Sequence, residues 1–448
     1  MHSFHYRAGR LHCEEVDLEQ VAAEHGTPLY VYSASTILDH YRRLDAAFHE
    51  LDHLICYAVK ANSNRAILRL LEKEGAGFDI VSGGELFRVL GAGGDPARCT
   101  FAGVGKSREE IEYALEQGVF CFNVESEAEL DYINRIAIGK GLRAPVALRV
   151  NPDVDAGTHE YVSTGRSENK FGIALARIAA VYESAARLPG VTLRGLQMHI
   201  GSQITEARPF ADAIEKIAPV VLELTKRHGL EFLSIGGGMG IVYGATLASG
   251  EGDWWRDRSS GPHPLTIDEY AAAIVPALRE LQGAGGTSFR SSRTCGSMSL
   301  RILLEPGRLL VGNAGVLLTR VRYLKQAGQK KFIIVDAGMN DLIRPALYQS
   351  YHEIVPVAEP RLSNRESVDV VGPVCESGDF FAQDRLLPRF DEGDLAAIMS
   401  AGAYGFVMAS TYNSRPLPAE VLVRGAAFAL VRERQTFADL VRGERDAP

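Results

Sequence analysis

The chain has 448 residues, of which 46% are hydrophobic and 23% charged, with a formal net charge of -8. That length predicts two domains, and the acidic balance offers no basic field to nucleic acid. No apolar run approaches a membrane span, and Met1 to Arg7 leads into no apolar core of a secretory signal, so a cytoplasmic location without membrane partners is expected.

From about residue 54 to 310, short apolar runs alternate with longer amphipathic ones. They predict strands at 55–59, 78–81, 100–103, 120–124, 146–150, 193–200, 232–235 and 302–304. Between them the periodicity predicts helices at 66–74, 84–92, 108–117, 126–138, 174–188, 209–228 and 267–281. Ser107 and Ser126 are placed to cap helix starts, each with a glutamate three positions on. Gly118 and Gly229 are placed to close helix ends.

Strands alternating with helices in this way predict a parallel (β/α)8 barrel of the TIM type. A doubly wound open sheet competes with it. The barrel is preferred because Lys60, Ser82, Asn123, Asn151, His199, Gly236 and Glu305 put polar groups at the C-terminal ends of many strands rather than at one crevice.

After residue 315 the pattern changes to strands at 316–323, 332–336, 352–357, 368–374, 395–399 and 421–423, with few helical patterns between them. The domain reading is therefore a cofactor-binding barrel at 30–314 and a mostly β domain, sandwich- or barrel-like, formed by 1–29 plus 315–448. Segments 244–264 and 283–299 are poor in apolar residues and read as loops, the second with the composition of a disordered insertion. The six cysteines (Cys13, Cys56, Cys99, Cys121, Cys295, Cys375) show no close pair, and no histidine–carboxylate cluster has metal-ligand spacing. Reduced thiols and no metal are expected.

Among candidate site residues the first is Lys60. It ends the apolar run Ile55-Cys56-Tyr57-Ala58-Val59, and burial there disfavours a charged amine, favouring a nucleophile. A lone lysine more often snorkels to the surface, so its neighbours decide the reading. Gly236-Gly237-Gly238 follows a strand, where successive N–H groups can converge on a phosphate or simply make a tight turn. Glu305-Pro306-Gly307-Arg308 ends another strand. Its carboxylate can hold a proton on a heterocyclic nitrogen, and its guanidinium can fork onto a phosphate or carboxylate. His199 can stack on an aromatic ligand and Ser202 can bond a phosphate. Asp79 and Glu85 flank Ser82-Gly83-Gly84, where carboxylates often merely cap helices. An amine, an anion cradle, a carboxylate–arginine turn and a stacking imidazole together fit pyridoxal 5'-phosphate.

Over nearly its whole length the chain resembles the diaminopimelate decarboxylase family, of the alanine-racemase-like (fold type III) pyridoxal-phosphate class. The resemblance lies in Tyr57 to Asn62, Phe78 to Glu85, His199 to Gln203, Gly236 to Gly238, Glu305 to Arg308, Cys375 to Asp379 and Gly402 to Tyr404. The lysine, glycine and Glu-Pro-Gly-Arg elements are shared with ornithine and arginine decarboxylases. Asp336 to Asp341, Arg344 to Tyr348 and Tyr351-His352 look specific to the diaminopimelate branch.

The resemblance implies that Lys60 condenses with the cofactor aldehyde, His199 stacks on the ring and Glu305 meets its nitrogen. Ser202, Gly238 and Arg308 lie at the phosphate in that reading, and Asp79, Gly236, Gly237, Gly307 and Tyr404 complete the cofactor set. Cys375 matches the family's proton donor. Arg308, Arg344, Tyr348, Glu376 and Tyr404 match its substrate positions. A homodimer whose active site is shared between subunits is implied as well.

The implied reaction is decarboxylation of meso-2,6-diaminopimelate to L-lysine and carbon dioxide, the last step of lysine biosynthesis. The substrate's distal ammonium and carboxylate each need a partner in a buried site, or cost on the order of 2–5 kcal/mol. Glu376 suits the ammonium, and Arg344 or Arg308 the carboxylate. Ornithine lacks that carboxylate. The rival readings are a decarboxylase of ornithine, arginine or carboxynorspermidine, and a non-catalytic regulatory homologue.

Overall fold

In a computed structural model, the structure describes residues 2–155, 170–248, 265–285, 300–360 and 365–446. Most of segments 244–264 and 283–299 lies outside these residues. The chain divides into two compact units, one of Met1–Asp39, Val242–Pro262 and Arg308–Pro448, the other of His40–Ile241 and His263–Gly307.

The second unit is a closed parallel barrel. Its strands, in order around it, are His53–Ala58, Gly77–Ile80, Cys99–Phe101, Cys121–Val124, Ala144–Asn151, Val191–Gln197, Phe232–Ser234 and Arg301–Leu304, the last pairing back onto the first. All eight predicted strands are present, with ends shifted by a few residues, and the open-sheet alternative is excluded by the closure. Leu54, Cys56, Cys121, Ala147, Phe232 and Leu303 form a buried cluster within it. Such a filled interior leaves the strand ends as the place for chemistry.

The helices follow from local signals. Ser107 Oγ accepts the Glu110 N–H while the Glu110 carboxylate accepts the Ser107 N–H, a capping box that starts Arg108–Gln117. Gly118 closes that helix at φ 75°, a left-handed conformation that costs glycine least. Ser126 caps Glu127–Gly139 and Gly229 ends Arg208–His228, as read from sequence.

The other unit is mostly β. Its spine is Gly315–Ala327, which pairs antiparallel with Lys330–Val335, with Leu395–Ile398 and with Leu29–Ser33. Leu29–Ser33 pairs in turn, in parallel, with Ala419–Arg424. Phe4–Arg7, Arg10–Cys13 and Val16–Asp17 make a small separate sheet. Leu11, Val31, Val316, Leu318, Ala397 and Val421 belong to one buried core here.

Several elements were not predicted. Leu29–Ser33 is buried at every position, so it shows no alternation to read. Phe380–Pro388 and Ala427–Arg432 carry exposed positions among their apolar residues, which blurs the pattern. Helices Leu18–His25 and Ala34–Ala47 were also missed, although Asp17 caps the first through the Glu19 N–H.

Candidate active site

The C-terminal ends of the barrel strands carry the first group of site residues. Lys60 lies on a single 3-10 turn, Val59–Ala61, just past the strand His53–Ala58. The sequence reading put it at the end of the strand and buried it. The strand instead stops two residues earlier, and the side chain is 40% exposed. What the amine meets is a carboxylate rather than an apolar wall: Nζ lies 3.2 Å from Asp79 Oδ2. Asp79 is buried in its strand, and its other oxygen accepts from Thr100 Oγ1 at 3.4 Å.

Glu305 is buried just past the last strand. Its carboxylate accepts from Ser234 Oγ at 2.7 Å, Gln197 Nε2 at 2.9 Å and Asn123 Nδ2 at 3.5 Å, so three strands fix its orientation. Burial, with Asp79 adding to it, pushes its pKa up to about 7. The sequence reading noted Asn123 as a strand-end residue but missed Ser234 and Gln197 as supports. Ser234 stands two residues before the glycine triplet, whereas Gln197 sits among apolar residues with no local signal.

The glycine triplet is built for close approach of backbones. A Cβ on Gly237 would lie 2.1 Å from the Glu305 carbonyl oxygen, and one on Gly238, at φ 111°, 2.3 Å from the Gly201 oxygen. Two of the three N–H groups already have partners within the chain. Gly236 N–H donates to Ser234 Oγ and Gly237 N–H to His199 Nδ1, each at 3.3 Å. Gly238 N–H is the one of the three with no partner among the described residues.

His199 is partly buried, and burial, with Arg149 and Lys60 adding to it, holds its pKa well below the ordinary value. Its ring is neutral at pH 7, and because Nδ1 accepts the Gly237 N–H, the proton sits on Nε2. Ser202 is half-buried, three residues further on. Gly307 packs against the lysine turn: its Cβ would lie 3.2 Å from Ala58 Cβ and 3.1 Å from Ala61 Cβ, and Ala58 N–H donates to the Pro306 carbonyl at 2.9 Å.

The mostly β unit holds the second group. Arg308 and Arg344 are both buried. The Arg308 guanidinium lies over the Tyr404 ring at 4.9 Å and donates to the Tyr243 hydroxyl. Tyr404 itself has φ 56°, left-handed and uncommon for an aromatic residue. Arg344 opens the short helix Arg344–Tyr348 and lies over the Tyr243 ring at 5.2 Å. Tyr348 sits half-buried at the end of that helix, and burial lowers the Arg344 pKa. Tyr243, between the two guanidiniums, was not predicted. It lies five residues past the glycine triplet, with no local signal of its own.

Cys375 and Glu376 are exposed, on the loop that precedes the strand Phe380–Pro388. There Cys375 N–H donates to Asn413 Oδ1 at 2.8 Å and the Tyr412 hydroxyl to Glu376 Oε2 at 3.4 Å. Among the described residues no cluster could hold a metal ion, and no helix is long and apolar enough to cross a membrane.

These residues fit pyridoxal phosphate. They offer an accessible amine beside a carboxylate, a buried carboxyl held by three donors, and a glycine turn that any side chain would fill. A family model described as pyridoxal-dependent decarboxylase, pyridoxal binding domain, matches residues 34–312. The chain is 48% identical to a diaminopimelate decarboxylase of Pseudomonas aeruginosa, across 100% of both chains. Among solved structures, the diaminopimelate decarboxylase of M. jannaschii in co-complex with L-lysine is 35% identical, with a TM-score of 0.88 over 100% of this chain and 98% of that one. The Helicobacter pylori diaminopimelate decarboxylase complexed with L-lysine is 39% identical, with a TM-score of 0.84 over 95% of this chain and 98% of that one. The chain belongs to the diaminopimelate decarboxylase family.

Proposed function

We propose that this protein decarboxylates meso-2,6-diaminopimelate to L-lysine and carbon dioxide with pyridoxal 5'-phosphate. Bound there, the cofactor supplies an electron sink for the bond that breaks between the α-carbon and its carboxylate.

The chain's own groups have distinct tasks. Lys60 would hold the cofactor through its amine, with Asp79 beside it. Glu305 holds a proton at the ring nitrogen. A carboxyl with a pKa near 7 and three fixed donors becomes fully anionic once a cationic N–H faces it. Neutral His199 offers the ring a flat face without adding positive charge. Gly238 N–H, Ser202 and Arg308 bind the phosphate, Gly236, Gly237 and Gly307 allow the close approach, and Tyr404 orients Arg308. Cys375 delivers the proton that replaces the lost carboxylate. Arg344, Tyr348, Glu376 and Arg308 read the distal end of the substrate, with Tyr404 alongside.

The observation that carries the substrate assignment is Arg344. It is buried, its polar partners are His352 and Ser350, and no carboxylate pairs with it among the described residues. A buried guanidinium without an anion is costly, and a substrate carboxylate removes that cost. Ornithine has no such group at its far end.

The exposure of Cys375 and Glu376 supports a homodimer whose active site is shared between subunits, because a proton donor works best where water is excluded. Four buried free thiols, Cys13, Cys56, Cys99 and Cys121, support a reducing, cytoplasmic setting. Carbon dioxide release over a panel of diaminopimelate, ornithine, arginine and carboxynorspermidine, with and without added pyridoxal phosphate, tests the reading. Turnover of diaminopimelate that depends on the cofactor is expected, and a preference for ornithine would overturn it.

A further inference from the structure

Arg344 reaches its place through a buried histidine that no catalytic role accounts for. His352 lies eight residues further along the chain, fully buried, and its Nε2 is 3.3 Å from Arg344 Nε. An arginine N–H can only donate, so Nε2 must be the accepting nitrogen. The other nitrogen, Nδ1, lies 2.9 Å from the Met399 carbonyl oxygen, which can only accept. The two contacts together leave one tautomer, neutral with the proton on Nδ1. A doubly protonated ring would turn an N–H toward the guanidinium and lose the bond.

The ring packs against a neighbouring aromatic side chain. Tyr243 meets it edge-on at 5.1 Å and 79°, and Arg385 Nη1 donates to the His352 carbonyl at 3.0 Å. Ser350 Oγ holds Arg344 Nη2 at 3.2 Å. Arg344 is thus fixed along one edge by His352 and Ser350, with its face over Tyr243, and Nη1 has no protein partner among the described contacts.

We infer that His352 is a positioning residue for substrate recognition: its neutral Nδ1–H tautomer holds the Arg344 guanidinium in the orientation that takes the distal carboxylate. The inference rests on the substrate reading above. It makes the imidazole a relay from the Met399 backbone carbonyl to the arginine, so each nitrogen has its own task. That division can be separated by substitution. An asparagine amide reproduces the Nδ1 position and keeps a donor for Met399, while a glutamine amide reproduces the Nε2 position and keeps an acceptor for Arg344.

The test uses the pyridoxal-phosphate-loaded full chain and two probes that differ by one carboxylate, L-lysine and cadaverine, titrated by calorimetry. His352→Asn is expected to weaken lysine about tenfold or more, the usual effect of losing a hydrogen bond to a charged group. Cadaverine binding stays within about twofold, because it has no carboxylate for Arg344 to meet. His352→Gln retains lysine affinity within about threefold by keeping the acceptor. Ser350→Ala, at a half-buried site, gives a smaller loss of the same lysine-selective kind and serves if the histidine variants fail to fold. Equal loss of both probes in the Asn or Ser350 variant, or unchanged lysine binding, would overturn the positioning role. Failure of the unsubstituted protein to bind lysine would instead overturn the substrate reading, and this inference with it.

Discussion

In the proposed reading, removal of Lys60 and removal of Arg344 separate chemistry from recognition. Lys60→Ala is expected to abolish turnover and the visible absorbance of bound cofactor. Borohydride reduction followed by peptide mass spectrometry then finds no pyridoxyl group at position 60. A retained tag on that peptide would place the attachment elsewhere. Arg344→Ala leaves one substrate carboxylate unpaired, which predicts a rise in KM for diaminopimelate of about 10²-fold. Turnover of ornithine, measured beside it, changes little, and equal effects on both would contradict the assignment. Lys60, His199 and Glu305 could be named from sequence because each ends an apolar run, where a polar side chain is out of place. Gln197 could not, since its task depends on a partner 108 residues away, and His352, though part of a branch-specific motif, shows no task until Arg344 lies beside it.

The turn elements carry the next level of organisation. Gly237 lets the glycine turn lie against the Glu305 backbone, so Gly237→Ala forces the two apart by more than an ångström to reach ordinary contact. The expected result is loss of cofactor affinity, read by absorbance titration with pyridoxal phosphate. Wild-type affinity would show the cradle to be unnecessary. At the start of the helix Gly83–Ala92, Glu85 accepts the Val81 N–H at 2.8 Å, and burial pushes its pKa up to about 7 from an ordinary 4.5. A raised acid favours the folded state in its protonated form. That contribution is present below the unfolded pKa and is lost as pH rises through about 7. Glu85→Gln keeps the acceptor without the titration. Its stability relative to wild type, from urea melts, therefore grows between pH 5 and pH 8; a pH-independent difference would remove Glu85 as the cause.

The proposed homodimer with a shared site has its own test. Mixing Lys60→Ala and Cys375→Ala subunits, each nearly inactive alone, tests whether one site draws on two subunits. If it does, random pairing restores roughly a quarter of wild-type activity, because half the dimers carry one intact site. No recovery after subunit exchange, with dimers shown by sedimentation, would place both residues in a single-chain site.

Much of this molecule could be read along the chain alone. Eight apolar runs with helices between them determine a parallel barrel, since buried parallel strands are local in pattern and need crossover helices. The same pattern puts Lys60, the glycine turn and Glu305 at strand ends. Tertiary contacts alone settle how those groups behave. Whether Lys60 is buried depended on where its strand stopped and on Asp79 reaching it from the neighbouring strand. Which glycine N–H is left for an anion depended on Ser234 and His199 taking the others. That Tyr243 and His352 bracket Arg344 follows from packing within the β unit. The physical reason is one of range. Strand and helix periods are short-range properties of the backbone, whereas protonation, tautomer and orientation are set by atoms about 3 Å away in space, whatever their distance in sequence.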